Sequence, residues 1–272
     1  MRVFNEIAKR KTSKRLLIVD LNNAVHKAIY VHPVLSSEGK YTGGLYGVLA
    51  QIKKAALAYE ATDIIICNDS PPYLRGEILE YKAGRRGDRN QDLENKLQET
   101  RTLCKEFFKL LNIVVWEVEG MESDDLISSL VGVLSCKVYI LSGDSDLFQC
   151  LELNRVKLIR NKSVLYTEED FEKDYGIPTS KWAWVVALSG GHNGLPGFPG
   201  IGEKKAIEIV KSDSRLLRFV NEYPKSLLYY QLAKLPLFEI KDVPKITFPK
   251  KRNLLEAELF LRGLNFKVEK EE

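Results

Sequence analysis

Residues 16–20 read LLIVD, four apolar residues closing on a carboxylate. A run this short, with branched side chains, suits a buried strand better than a helix. The pattern recurs: DIIIC at 63–67 is followed by Asn68 and Asp69, IVVWEV occupies 113–118, and KVYIL at 137–141 is followed by SGDSD. Between the runs lie longer stretches, GLYGVLAQIKKAALAYE from Gly44 and DLISSLVGVL from Asp125, whose apolar spacing suits helices packed on one face. Strand and helix in alternation predict an α/β fold, a mainly parallel central sheet wrapped by helices. RVKLIR at 155–160 and SVLYT at 163–167, separated by Asn161-Lys162, predict a hairpin added to that sheet.

From about Phe171 the pattern turns helical, through FEKDYGIPTSKWAWVVALSG, EKKAIEIVKS and LLRFVNEY. The expected division is an α/β core over 1–170 and a smaller helical region over 171–272, with a final helix from Leu254 and a short returning strand. Residues 82–109, KAGRRGDRNQDLENKLQETRTLCKEFFK, are dense in charge and read as a loop leading into a helix that projects from the body; a solvated surface helix accounts for Gln91 to Lys109 equally well. Trp182 and Trp184 read as helix packing residues.

At 272 residues and 44% hydrophobic composition, the chain can bury a substantial core. No apolar run approaches the roughly 18 residues needed to cross a bilayer, and the basic start MRVFNEIAKRKTSKR lacks the apolar stretch of a secretion signal. A cytoplasmic protein, with no membrane partner, is expected. Cys67, Cys104, Cys136 and Cys150 show neither metal spacing nor disulfide density and read as reduced and mostly buried. The net charge of +4 is too small to imply a nucleic-acid partner, but positive charge gathers at residues 1–15, in KAGRRGDR from Lys82 and in PKKR from Pro249.

Open parallel sheets bind ligands at the carboxyl ends of their strands. Three strand candidates lead directly to aspartate there: Asp20, Asp69, and the pair Asp144 and Asp146. One such residue is most often a turn or helix cap. GMESDDL adds Glu122, Asp124 and Asp125 after the strand at 113–118, where Ser123 or Asp124 could cap the following helix. Seven carboxylates at one edge would repel by about 4 kcal/mol per close pair at an effective dielectric near 20, a cost that a divalent cation removes. Oxygen-only ligation suits magnesium or manganese rather than zinc, and such ions serve phosphoester hydrolysis.

VDLNN at Val19, EYKAGR at Glu80, GMESDD at Gly120, SGDSDL at Ser142 and LPGFPGIGEKKA at Leu195 resemble, in order, the motifs of the 5′-nuclease family, which includes phage 5′-exonucleases, flap endonucleases and the 5′-nuclease domain of bacterial DNA polymerase I. The resemblance spans about residues 16–212 and implies a free-standing phage-type or bacterial-type member, a monomer acting in a bacterial cell or phage-infected host. It makes Asp20, Asp69, Glu122, Asp124, Asp125, Asp144 and Asp146 the metal-site carboxylates. Lys82 and Arg85 become the basic pair on the scissile phosphate, Tyr81 a base-stacking neighbour, and residues 82–109 a helical arch in which Arg86 and Arg89 meet DNA. GDRNQDL departs from the proline-containing stretch common in bacterial members.

Glycines in GFPGIG let the backbone approach a phosphate, and the prolines stiffen the turns. The segment reads as a hairpin before a helix whose first amides face an anion. The resemblance makes it a helix-hairpin-helix element that grips one duplex strand through Gly197, Gly200, Ile201, Gly202, Lys204 and Lys205 and holds a potassium ion on its carbonyls. Just upstream, where the family has two further carboxylates in a GDxxDN pattern, Gly190 and Asn193 stand instead. The expectation is one well-bound ion near Asp69, Glu122, Asp124, Asp125 and Asp144, with a second dependent on Asp146 and substrate phosphate; His192 is a conceivable substitute ligand.

The function expected is a structure-specific 5′-nuclease acting on DNA with 5′ flaps, nicks or 5′ ends, with RNA primers in RNA/DNA hybrids as a further substrate class. A branched-DNA-binding module that no longer cuts, and a small-molecule phosphatase, are the competing readings.

Overall fold

The structure, a computed structural model, describes residues 14–37, 39–74, 91–160, 164–190, 194–237 and 254–266. A six-stranded sheet lies at its centre in the order β5-β4-β1-β6-β7-β8, with β1 Arg15–Asp20, β4 Asp63–Cys67, β5 Val114–Trp116, β6 Lys137–Leu141, β7 Val156–Ile159 and β8 Leu165–Tyr166. The first five strands are mutually parallel, and β8 runs antiparallel to β7 as the hairpin reading requires. A separate two-stranded ribbon joins β2 Ser36–Ser37 to β3 Lys40–Tyr41.

Alternation along the strands divides the core in two. Leu17, Val19, Ile64 and Ile66 face one layer, built from α1 Leu21–Val31, α2 Gly43–Ala58, α3 Gln91–Leu110 and α10 Leu254–Gly263. Leu16, Ile18, Ile65, Val138, Ile140, Val156 and Leu158 face the other, built from α4 Ser123–Val133, the short 3₁₀ helix Asp146–Cys150, and the helices α5 Glu168–Tyr175, α6 Trp182–Ser189, α7 Glu203–Val210, α8 Asp213–Glu222 and α9 Lys225–Ala233. The core under the second face continues without a break into this helical part, where Ala206, Val210, Tyr229 and Leu232 are buried. Trp182 sits in an aromatic cluster with Phe148, Phe171 and Tyr175, and Trp184 stacks on Tyr230 with ring centroids 4.1 Å apart.

One element differs from expectation. Helix α1 was not legible, because Asn22 and Asn23 fill its first turn and β-branched residues its later ones. It forms because Asp20 caps it and Leu21, Ala24, Val25, Ala28 and Ile29 bury one stripe. From Leu97 onward helix α3 packs on the body, as the surface-helix reading of Gln91 to Lys109 requires. Leu97, Thr100, Cys104, Phe107 and Phe108 are all buried, so its charged residues cover only the outer face. The helix from Leu254 is present and buries Ala257 and Leu261; the short strand expected after it lies outside the described residues. All four cysteines are free, with only Cys136 partly exposed.

Topology decides where a ligand can go. From β1 the chain moves outward through β4 and β5, then returns to pair β6 on the other side of β1. The segment after β1 covers one face and the segment after β6 the opposite face, so a crevice opens between them at the carboxyl edge.

Candidate metal centre

Six of the seven expected carboxylates border that crevice. Asp20 ends β1, Asp69 follows β4 by two residues, Glu122 and Asp124 open α4, and Asp144 and Asp146 follow β6. Asp20 and Asp124 both feel Asp144; Asp20 also feels Asp69, while Asp124 feels Asp20, Asp146 and Glu122. Backbone pairing sets the approach of the loops after β4 and β5: Gly120 N donates to Ser70 O at 2.8 Å, Ser70 N to Met121 O at 3.0 Å, and Leu74 N to Gly120 O at 2.9 Å.

Hydrogen bonds then fix individual groups. Asp20 Oδ1 accepts the Asn23 amide at 3.1 Å, so this residue is both a helix cap and a member of the cluster. The Ser123 hydroxyl donates to Asp20 Oδ1 at 3.2 Å and the Ser142 hydroxyl to Oδ2 at 2.8 Å. Neither Ser123 nor Asp124 caps α4; Asp69, from another loop, accepts the Ser123 amide at 2.8 Å and the Tyr73 hydroxyl at 3.1 Å. Asn23 Oδ1 accepts the Gly143 amide at 2.9 Å, and Asp144 Oδ1 accepts the Asp146 amide at 2.9 Å. Ser123, Ser142, Asn23 and Tyr73 were not anticipated, since nothing in a lone hydroxyl or amide marks it as a support until its partner is known.

Burial makes the group costly. Asp20, Glu122, Asp124 and Asp146 are all under 10% exposed. Desolvation, then Asp69, pushes the Asp20 carboxyl up to about 7. Desolvation, followed by Asp144, Asp20, Asp146 and Glu122, pushes Asp124 well above the carboxylate range. Beneath them the buried Cys67 thiol is raised by desolvation first and then by Asp20 and Asp124. Hard oxygens crowded in a desolvated crevice fit a divalent cation of the magnesium or manganese type. Among the described residues, however, no three His, Cys, Asp or Glu side chains are already posed to hold an ion. Asp125 stands apart: it is 2% exposed, and its Oδ1 accepts the Leu237 amide at 2.7 Å, tying α4 to the segment after α9.

Next to Asp146 a cleft of about 300 Å³ runs between Ser145, Trp182, Ser189, Gly190 and Glu203. Gly190 has φ +74°, and a Cβ there would lie 2.9 Å from Leu195 O and 3.1 Å from Gly197 N. Position 190 therefore has no room for a ligating side chain, beyond merely lacking one. Gly197, at φ +62°, is still tighter, since its Cβ would meet Gly190 N at 2.3 Å and Ser189 C at 2.5 Å. The Phe198 amide closes this contact on Leu188 O at 2.9 Å, and Ile201 N donates to Phe198 O at 3.0 Å. GFPGIG thus forms a tight connection between α6 and α7. Gly202 precedes α7 without a side-chain cap, Gly200 has φ +74°, Ile201 is buried, Lys204 is exposed, and Lys205 Nζ reaches Gly200 O at 3.3 Å. Tyr81, Lys82, Arg85, Arg86, Arg89, Gly191, His192 and Asn193, and the basic runs at 1–13 and 249–252, lie outside the described residues.

An open, mainly parallel sheet with carboxylates around its switch-point crevice and a glycine connection beside them defines an α/β protein with a cation-seeking edge. Residues 15–176 match the family described as the 5′-3′ exonuclease N-terminal, resolvase-like domain, and the chain belongs to that family. It is 29% identical over 241 residues to a 5′-3′ exonuclease of Aquifex aeolicus, covering 82% of each chain. It is 31% identical over 202 residues to the thermostable DNA polymerase I of Thermus filiformis, covering 72% of this chain and 24% of the polymerase. The chain thus spans about a quarter of the length of the curated polymerases it matches. Its fold is similar to that of the bacteriophage T5 flap endonuclease in a pseudo-enzyme-product complex with DNA and metal ions, with TM-score 0.62, 21% identity, and coverage of 92% of this chain and 88% of the other. No helix among the described residues is long and apolar enough to cross a membrane.

Proposed function

We propose that the protein is a structure-specific 5′-nuclease that hydrolyses phosphodiesters at 5′ flaps, nicks or 5′ ends of DNA. The observation that carries this reading is the convergence of Asp20, Asp69, Glu122, Asp124, Asp144 and Asp146 on one crevice beside the Gly197 connection. Membership of the 5′-3′ exonuclease family and the DNA and metal ions bound by the T5 enzyme support it. Asp124 and Asp144, with Asp69 and Glu122, would hold one magnesium or manganese ion, and Asp146 would take part in a second site completed by substrate phosphate. When bound, such an ion supplies Lewis-acid polarisation of the phosphoryl group and a water of lowered pKa.

The protein's own groups do the rest. Asp20, pinned by two serine hydroxyls and an amide, orients the cluster and keeps its charge beside the ion position. The Gly197 connection and the α7 amides would grip a duplex phosphate, and its carbonyls a potassium ion. Lys82 and Arg85 would stabilise the charge that develops on the scissile phosphate, with Tyr81 stacking on a base. RNA/DNA hybrids are a second substrate of the same site.

Asp124→Ala and Asp144→Ala are expected to abolish cleavage of a labelled 5′-flap duplex in magnesium while retaining a gel shift; unchanged cleavage by either removes the proposal. The crowded packing at Gly190, which leaves no room there for a carboxylate, favours a second reading, a branched-DNA-binding module. It predicts a gel shift by the parent chain and no product with magnesium or manganese.

A further inference from the structure

Gln149 joins the carboxylate cluster to the helical part of the molecule. It lies on the 3₁₀ helix that Asp146 opens, and its side-chain amide is engaged at both ends. Nε2 donates to Asp146 O at 3.2 Å and to Ala233 O at 3.0 Å, and Oε1 accepts the Leu235 amide at 3.1 Å. Ala233 ends α9, so its carbonyl is one that the helix leaves without an intrahelical partner. Lys234 is extended, and the Leu235 and Leu237 amides, two residues apart, point to the same side. Leu237 N reaches Asp125 Oδ1 at 2.7 Å. The strap at 233–237 is therefore held twice, by Gln149 three residues after Asp146 and by Asp125 one residue after Asp124.

The helix before the strap leads to the glycine connection. Tyr229 and Tyr230 on α9 meet Phe198 and Trp184, with ring centroids 5.4 and 4.1 Å apart. Phe198 belongs to GFPGIG, and its amide is the one closed on Leu188 O. Contacts thus run without a break from that connection through α9 to the Asp146 carbonyl. A side chain needed only to fill the space between the 3₁₀ helix and α9 would carry no amide. Here one half-buried amide satisfies three main-chain groups, drawn from segments 84 positions apart, and one of them belongs to Asp146. The Asp146 amide is tied in turn to Asp144 Oδ1 at 2.9 Å. Both main-chain polar groups of Asp146 are fixed, and its carboxylate at the wall of the cleft takes its place from them.

We infer that Gln149 is a positioning residue for Asp146: by clamping the strap after α9 to the 3₁₀ helix, it sets the Asp146 carboxylate where a second cation and a substrate phosphate would meet. This rests on the nuclease reading. Its test is uptake of Mn2+ by the full chain, read from the electron paramagnetic resonance of the free ion, without DNA and with the cleaved product duplex. The parent is expected to bind one ion alone and a second with the duplex. Gln149→Met keeps an unbranched side chain of similar length and loses the amide. Its second ion should dissociate about 10-fold more readily, with the first-ion constant and the duplex affinity in EDTA at parent values. Gln149→Asn, one methylene shorter, should reach one side of the clamp only and fall between the two. Thr167→Ala, destabilised at the exposed start of α5, should bind both ions as the parent does. Parent values for the second ion in Gln149→Met overturn the assignment. So does an equal loss of both ions and of duplex affinity, or the same second-ion loss in Thr167→Ala, since either marks a merely structural role. If Gln149→Met fails to fold, Gln149→Asn decides by the same criteria. A parent that cuts flap DNA but takes up a single ion on the product duplex overturns this inference alone. A parent that neither cuts nor binds Mn2+ overturns the nuclease reading with it.

Discussion

Removing the divalent ion and raising the pH should loosen this protein through its buried carboxylates, Asp20 and Asp124 foremost. Asp20 is 3% exposed, and burial, reinforced by Asp69, moves its carboxyl from 3.8 to about 7 in the ion-free fold. The folded state then holds this proton more tightly than the unfolded chain does. Its contribution to stability is complete below pH 3.8, is lost as pH rises through the window up to about 7, and is absent above it. A displacement of about three pH units corresponds to about 4 kcal/mol, of which about 2 to 3 kcal/mol falls between pH 5 and pH 8. Urea unfolding at those two pH values, in EDTA and in magnesium, measures it. In EDTA the parent chain should lose that amount more than Asp20→Asn does, since asparagine keeps an acceptor for the Asn23 amide but carries no titrating charge. Magnesium should restore stability at pH 8 and do little at pH 5, where protons compete for the same oxygens. Equal pH dependence in parent and variant, or an equal magnesium increment at both pH values, would refute the account of a desolvated, cation-seeking cluster.

Gly197→Ala should lower stability by about 1–3 kcal/mol, because its Cβ would stand 2.3 Å from Gly190 N at φ +62°, and flap binding should weaken with it; an unchanged melting temperature contradicts that contact. Asp125→Ala strands the buried end of a 2.7 Å hydrogen bond to Leu237 N and should cost about 1–3 kcal/mol in urea unfolding while losing less cleavage than Asp124→Ala. Equal loss of cleavage in the two would return Asp125 to the cation's ligands. Thr167→Ala removes a capping box on the exposed start of α5, where Asp170 N reaches Thr167 Oγ1 at 3.2 Å, and should cost about 1 kcal/mol with cleavage untouched.

Much of the architecture was legible because strand and helix periodicities differ and the apolar runs were clean. LLIV, DIIIC and KVYIL became the three central strands, and RVKLIR with SVLYT became the hairpin. At 91–109 charge density left a projecting helix and a surface helix equally open, and the buried stripe decides for the surface helix. Twenty residues can carry many charges outward and still bury Leu97, Cys104, Phe107 and Phe108 on the remaining stripe. Asp20 was weighed as either a cap or a ligand, whereas one carboxylate has two oxygens and serves both ends.

The amino-acid sequence by itself determined which elements form and which acidic residues follow the strands, since both depend on local pattern. It could not determine that Asp69 would accept the first amide of a helix opening 54 positions later, that Asp125 would bond to Leu237, or that Lys27 would come within Coulomb range of Asp20, Arg160 and Asp144. Those relations arise only when β1, β4, β6 and β7 are set side by side, because strand register brings distant residues within hydrogen-bond and Coulomb range whatever their separation along the chain.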